Sequence, residues 1–221
     1  MTSGKTDLAY AEIKKKILSG VLPPLSDISE DALQKELEIS RTPIREAVQR
    51  LQKEGFVYIY PRKGTIVSEV TPDLVHEIYQ MRELNEPAIA CEACKRIQHD
   101  WLLIRRNAFA NPPEGLTEQE LIQYFIKYDS ELHMSLLDYC NNRFLRNIMT
   151  IVYDHSQRLR IKTSRPTHKE QDNATQEHID IIDALLSQDQ ERVRNAVLEH
   201  IRSSRKISIG YYKFQEILET F

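Results

Sequence analysis

The sequence predicts a mainly α-helical protein, with a winged helix-turn-helix over residues 1–70 and an all-α antiparallel helical bundle over residues 71–221. Three observations lead to this prediction. Apolar residues recur at helical spacing along most of the chain, and the period changes to that of β-strands only near residues 56–67. Positive charge is concentrated in residues 40–64, which hold six Lys or Arg against two Asp or Glu.

Three helices are predicted before the strands. The first covers residues 8–18 and ends near Gly20, and the second begins after Ser29, which is a suitable N-cap. The third is expected to begin with Thr42 as N-cap and Pro43 at the first helical position. Its apolar stripe follows the i, i+3, i+4, i+7 pattern and consists of Ile44, Ala47, Val48 and Leu51.

The opposite face of the third helix carries Arg41, Arg45 and Gln49. Arginine pairs bidentately with guanine and glutamine with adenine, so this face suits a DNA major groove. The alternative is a solvated basic face without a partner. A net charge of -3 over 221 residues argues against a chain that coats nucleic acid, so a DNA site must be local.

A β-hairpin is predicted from residues 56–60 and 65–67, joined by a turn at residues 61–64. Arg62 and Lys63 lie at its tip, where phosphates or the minor groove would lie, and Gly64 permits close backbone approach. The hairpin could merely cover the core. Following a helix-turn-helix, however, a basic-tipped hairpin is typical of a DNA-binding wing.

Residues 40–47 read Ser-Arg-Thr-Pro-Ile-Arg-Glu-Ala and, with Ser29-Glu30 and Glu54-Gly55, resemble the winged-helix domain of the GntR family of bacterial transcription regulators. The resemblance implies that Arg41, Thr42 and Arg45 contact bases and phosphates of an operator, and that Gly64 marks the wing tip. Two turn positions depart from the family pattern, since glycine is usual where this chain has Leu25 and Glu38.

Six helices and no strand are predicted after Thr71, at about residues 72–96, 99–109, 117–140, 143–163, 171–187 and 189–210. Pro87 should kink the first of them, Thr117 and Glu120 form a capping box, and Arg165-Pro166 interrupts the chain. No signal peptide or membrane-length apolar run is present, so we expect a cytoplasmic protein. The three cysteines are too few for a disulfide framework and are interpreted as core thiols, with redox sensing by Cys91 and Cys94 as the alternative.

Four ionisable residues fall on stripes that otherwise face the bundle interior: Asp129, His133, His178 and His200. A single inward histidine is more often a hydrogen-bonded core residue than a ligand. Burying all four unpaired would be costly, and one divalent cation would satisfy them together. Three imidazoles and a carboxylate suit zinc, or nickel and similar ions, and leave a position open for water or an effector carboxylate.

The second half also resembles a known domain. Arg82, Asn142 and the Asp129-to-His133 pair, with Glu177-His178 and Glu199-His200, stand where the helical ligand-binding domain of FadR-like GntR regulators has recurrent residues. The resemblance is to the metal-binding version, and six helices resemble its VanR-type subgroup. It implies metal ligation by Asp129, His133, His178 and His200, and effector binding by Arg82 and Asn142. For Arg82, the alternative is a buried salt bridge with a neighbouring acid.

Together these features predict a homodimeric transcription regulator, acting as a repressor on a pseudo-palindromic operator, whose DNA affinity a small carboxylate controls from the metal site. We expect the effector to act by repositioning the first bundle helix. A metal-dependent hydrolase using the same Asp/His site is the alternative from another class. A DNA-packaging protein is disfavoured by the negative net charge.

Overall fold

The computed structural model describes residues 2–163 and 168–219. The chain divides into two compact units, one up to Thr71 and one from Pro72 onward. Within the described ranges, no helix combines the length and apolar character needed to cross a membrane.

The first unit contains three helices followed by a hairpin: α1 (Thr2–Leu18), α2 (Glu30–Leu37), α3 (Arg41–Lys53), β1 (Val57–Tyr60) and β2 (Gly64–Val67). The strands are antiparallel, with Val57 opposite Val67 and Tyr60 opposite Gly64. Helix α3 packs against α1, α2 and β1. The apolar residues predicted to face inward on α3 are buried in this core. The arrangement confirms the predicted winged helix-turn-helix.

Helix α3 begins two residues earlier than a Thr42 cap requires, so that prediction is wrong. Ser40 occupies the N-cap with an extended backbone, and Arg41 is the first helical residue. Pro43 is therefore the third helical residue. It is tolerated there because the backbone N–H groups of the first helical turn have no intrahelical partner in any case.

Leu25 and Glu38, the two residues that stand where glycine is usual, both adopt a left-handed backbone, with φ of 66° and 54°. Glu38 is the C-cap of α2 and turns the chain toward α3. Leu25 follows α1, and its backbone N–H donates to Val67 O at 3.0 Å. Both turns form despite the side chain, which in this conformation costs about 1–2 kcal/mol per residue.

The second unit is all helical in its described part, and this confirms the predicted fold class. Its helices are α4 (Pro72–Ala93), α5 (His99–Ala110), α6 (Glu118–Leu136), α7 (Arg143–Thr163), α8 (His168–Ser187) and α9 (Gln190–Glu219). Helix α4 packs along α9, and α8 packs against α5 and α9. The chain continues from α6 into a 3-10 turn at Leu137–Tyr139, so α6 is shorter than predicted. The predicted break at Arg165-Pro166 lies outside the described residues.

Local sequence signals explain several helix ends. The Thr117 hydroxyl accepts from the Glu120 N–H at 3.3 Å, while the Glu120 carboxylate accepts from the Thr117 N–H at 2.9 Å, which is the expected capping box. Pro87 lies inside α4, which nevertheless continues to Ala93. The core between these helices contains several buried charged or polar side chains as well as apolar ones.

Candidate metal centre and DNA-facing surface

Four side chains from three helices meet in the core of the second unit. Asp129 and His133 lie one turn apart on α6, His178 lies on α8 and His200 lies on α9. All four are buried, and one potential ligand atom from each lies within 4.8 Å of those from the others. The structure therefore brings together the four residues that the sequence predicts as metal ligands. We call them the Asp/His cluster.

Each histidine of the cluster has its Nδ1 next to a protein oxygen. His178 Nδ1 lies 2.6 Å from Ala174 O, and His200 Nδ1 lies 3.1 Å from Glu177 Oε2. His133 Nδ1 contacts the Glu86 carboxylate. Since a carbonyl and a carboxylate only accept, Nδ1 of each ring is assigned as the donor. The proton is thereby placed on Nδ1, and the Nε2 lone pair is left for another partner.

Two of the three Nε2 atoms lie close to Asp129. His178 Nε2 lies 3.3 Å from Asp129 Oδ2, and His133 Nε2 lies 3.7 Å from Asp129 Oδ1. Neither His178 Nε2 nor His200 Nε2 has a partner in hydrogen-bond geometry within the described parts of the chain. Buried polar atoms without a partner are costly and uncommon in folded proteins. A divalent transition-metal ion fits this arrangement of imidazole nitrogens and a carboxylate.

The electrostatics of the cluster favour the protonation states that bind metal. Burial opposes ionisation of Asp129, but the neighbouring Arg160 guanidinium holds its pKa well below the ordinary value. Burial lowers the pKa of His133. Burial, together with the nearby His178 and His133, also holds the pKa of His200 well below its ordinary value. Metal ligands must be carboxylate and neutral imidazole, and these shifts favour both forms.

Arg82 is buried beside Glu86, with 2.8 Å between Nε and Oε2. A buried salt bridge was the alternative role considered for Arg82 from the sequence, and this salt bridge is present. Burial disfavours both charges, but each ion stabilises the other, so the pKa of Glu86 is lowered and that of Arg82 is raised. Arg82 also approaches the cluster, since its Nη2 lies 3.4 Å from His133 Nε2.

Sequence reasoning assigned no role to three charged residues around the cluster. Glu86 stands four residues after Arg82, a helical spacing that could have identified it. Arg160 Nη1 lies 2.9 Å from Asp129 Oδ1, a tertiary contact with no signal in local spacing. Glu177 precedes His178 in the quoted motif, but its contact with His200 on another helix could not be read from the sequence.

Asn142 has a structural contact at the start of a helix. Its Oδ1 accepts from the backbone N–H groups of Phe144 and Leu145 at 3.0 and 3.2 Å, so it caps the start of α7. The residue is exposed and does not line the cavity beside the cluster. Effector binding by Asn142 stays a prediction, and the role that its carboxamide has in the structure is to cap a helix.

A cavity of about 140 Å³ adjoins the Asp/His cluster. Asp129, Arg160, His178 and His200 line its polar side, whereas Arg82 and His133 are not among its lining residues. Phe109 stacks on His178 with parallel rings, the centroids 4.7 Å apart and the planes 5° from parallel. The cavity thus places open space next to the atoms that could hold a metal.

In the first unit, the residues predicted to contact DNA are all exposed: Arg41, Thr42, Arg45, Gln49, Arg62, Lys63 and Gly64. Arg45, Gln49, Arg62 and Gly64 line one groove between α3 and the hairpin. Gly64 has a φ of +124°, which side chains rarely adopt, so glycine suits the position where β2 begins.

Two arginines of α3 are paired with acids at the start of α2. Arg45 Nε lies 3.0 Å from Glu30 Oε2, and the Arg41 guanidinium contacts the Asp31 carboxylate. These partners are mostly exposed, so the ion pairs are weak and exchangeable. The arginines remain accessible to stronger anionic partners.

Two family descriptions match the chain, and together they cover both units. "Bacterial regulatory proteins, gntR family" matches residues 5–67, and "FCD domain" matches residues 77–203. The first match contains the helix-turn-helix and the hairpin. The second contains the whole Asp/His cluster.

The chain is also similar to individual transcription regulators. The HTH-type transcriptional regulator YdhC of Bacillus subtilis (strain 168) is 27% identical over 191 residues, covering 86% of this chain and 85% of YdhC. The galactonate operon transcriptional repressor of Escherichia coli (strain K12) is 24% identical over 226 residues, covering 93% and 97%. The crystal structure of a GntR transcriptional regulator from Rhodococcus sp. RHA1 shares the fold, with a TM-score of 0.78 at 18% identity over 94% of this chain and 98% of that one.

Proposed function

Because the chain belongs to the GntR family of bacterial regulatory proteins, with an FCD domain, and is a DNA-binding transcription regulator, we propose that a small carboxylate bound at a metal site controls its operator affinity. Asp129, His133, His178 and His200 would hold the metal. The observation that carries the proposal is the gathering of three buried imidazoles and one carboxylate within 4.8 Å of one another, with each Nδ1 facing a protein oxygen. Zinc is favoured, and nickel is the alternative.

A bound ion of this type would offer an open coordination position to an anionic oxygen. Side chains of the protein would provide the other contacts to the effector carboxylate. Arg160 lines the cavity beside Asp129 and adds a positive charge where an effector carboxylate would enter. Arg82 is held by Glu86 and does not line the cavity, so we assign the anion contact to Arg160 in place of Arg82.

The proposed DNA contacts involve the exposed face of α3 and the hairpin tip. Arg41, Thr42, Arg45 and Gln49 would face a major groove, and the segment 62–64 would approach the phosphates. We propose that the protein acts as a homodimeric repressor, because a two-fold dimer places two such helices about 34 Å apart on a pseudo-palindromic operator. The hydrolase alternative is not supported, because the relatives are named as transcription regulators and repressors.

The first test is the metal content of each chain, measured by mass spectrometry on protein purified without a histidine tag or chelator. The test variant is His178→Ala/His200→Ala. The matched control is His76→Ala/His99→Ala, since these two histidines are exposed. We expect near-stoichiometric metal in the unmodified protein and in the control, and its loss in the test variant. Absence of metal from the unmodified protein would overturn the metal proposal and leave the DNA-binding assignment intact.

Control by an effector is tested separately. Operator affinity is measured in increasing concentrations of a carboxylate already shown to bind the metal-loaded chain. We expect the affinity to change as the site fills, because a ligand that couples to DNA must favour one conformation. An operator affinity that is the same at every concentration would overturn the coupling.

A further inference from the structure

The cavity beside the Asp/His cluster has two chemically different sides. The polar side carries the groups already described at Asp129, Arg160, His178 and His200, together with hydroxyl side chains that include Ser204 and Ser208. The cavity is also lined by an apolar wall formed by α5 and α6, which consists of Phe109, Ile122, Phe125 and Ile126. A ligand in this cavity must therefore combine a polar group with an apolar body.

The two sides are arranged along one helix. Phe125 and Ile126 precede Asp129 by about one turn of α6, and Ile122 precedes it by about two turns. At 1.5 Å per residue, these turns correspond to about 5 and 10 Å along the helix axis. A carboxylate located at Asp129 and Arg160 would thus have its body alongside Ile126, Phe125 and Ile122.

The volume limits the size of that body. A protein cavity of about 150 Å³ with apolar walls holds a benzene molecule. The volume of about 140 Å³ here is close to that value. The space accommodates a ring or a branched chain of roughly six carbons.

The wall also selects for apolarity and shape. Its four side chains offer no hydrogen-bond donor or acceptor, so hydroxyl groups placed against them would lose their bonds to water. Phe109 stacks with Phe125 at a centroid distance of 6.3 Å and with His178 at 4.7 Å. Packed rings of this kind present a rigid surface suited to another flat apolar group.

The charge of the residues that line the cavity limits the number of carboxylates that the ligand can carry. Among the described residues that line the cavity, Arg160 is the only arginine or lysine, and it lies on the polar side next to Asp129. A second carboxylate on the ligand would lie against the apolar wall without a counter-ion, which is costly.

We propose that the effector is a compact apolar monocarboxylate, aromatic or branched aliphatic and about the size of benzoate. This inference rests on the proposed function, since it places the carboxylate of that effector at the metal and Arg160. It adds that the body of the effector lies on the wall of Phe109, Ile122, Phe125 and Ile126.

The test is calorimetric titration of the zinc-loaded full-length chain with benzoate, acetate and gluconate. Acetate has the carboxylate without the body, and gluconate has a hydroxylated body. We expect benzoate to bind at least about tenfold more tightly than either, with a negative heat-capacity change from apolar burial. Equal affinity for all three would overturn this inference and leave the proposed function standing. Binding of none of them would also overturn this inference, whereas the metal content and the operator titration decide the proposed function.

A matched pair of variants tests whether the apolar body of the effector lies on this wall. Ile122→Ser alters the wall, and Ile104→Ser is the control because Ile104 is 61% exposed on α5. We expect Ile122→Ser to weaken benzoate about tenfold while acetate affinity is kept, and Ile104→Ser to change neither. Unchanged benzoate affinity in Ile122→Ser would overturn the assignment of the wall. The ligand series on the unmodified chain tests the proposal independently of how either variant folds.

Discussion

Arg82 and Glu86 form a buried ion pair within α4, with 2.8 Å between Nε and Oε2 and side chains that are at most 2% exposed. The same Glu86 carboxylate contacts Nδ1 of His133 on α6. The first helix of the second unit is therefore linked to a candidate metal ligand through one carboxylate. A change in the position of His133 must alter the environment of Arg82 on α4.

Glu86→Gln should destabilise the protein strongly, because it leaves the buried Arg82 charge without its counter-ion. Breaking one side of a buried pair costs about 3–5 kcal/mol. The free energy of unfolding, measured by urea titration, provides the check.

The matched control is Glu83→Gln on the same helix. Glu83 lies 3.6 Å from Arg205 and is partly exposed, so its loss should cost less than about 1 kcal/mol. Equal destabilisation by the two substitutions would show that the buried pair contributes no more to stability than the exposed one.

Glu177→Gln should weaken metal binding without removing a ligand. The Glu177 carboxylate accepts from His200 Nδ1, which holds the ring with Nε2 toward the cluster. Loss of such a supporting contact typically lowers metal affinity about 10–100-fold. Competition with a chromogenic chelator measures the change, and Asp180→Asn, at an exposed position on the same helix, is the control. Affinity that stays within twofold would argue that His200 is oriented by packing alone.

Zinc should raise the melting temperature of the metal-free protein. At a concentration about 100-fold above the dissociation constant, a ligand specific for the folded state adds about 2.7 kcal/mol. For a chain of this size, that corresponds to a shift of roughly 5–10 °C. The shift should disappear in His200→Gln and persist in His99→Gln, whose histidine is exposed. A full shift in His200→Gln would place the bound zinc elsewhere.

Arg45→Ala should reduce affinity for the cognate operator by about 1–3 kcal/mol if Arg45 reads a guanine. Arg50→Ala removes the same charge from α3, but Arg50 stacks over the Tyr10 ring at 3.7 Å and pairs with Asp7, so we expect a much smaller loss. Binding to operator and scrambled duplexes at fixed salt distinguishes the roles. An equal loss on both duplexes would make Arg45 a phosphate contact.

Patterns within single helices were predictable from the sequence, because spacing alone determines which residues share a face. The inward stripes identified Asp129, His133, His178 and His200, and the capping box at Thr117 located the start of α6. The cap of α3 was misplaced because proline is acceptable at more than one position in a first turn.

Contacts between distant segments were not predictable in the same way. Arg160 reaches Asp129 from another helix, and the sequence contains no spacing that connects them. Asn142 was assigned to the effector through family resemblance, whereas its short side chain bonds the backbone next to it. Which polar groups face the cavity depends on the packing of the helices, and only the structure supplies this information.

If Arg41 and Arg45 contact DNA as proposed, their ion pairs with Asp31 and Glu30 affect how the protein searches a genome. Any DNA must displace these carboxylates before the arginines are free, and random sequence offers mainly phosphate contacts in exchange. A cognate site adds base contacts and can compensate for the displacement. With the DNA contacts proposed for Arg41 and Arg45, the acidic residues of α2 would shorten the residence time on random DNA, so a larger share of the molecules would remain available for the correct site.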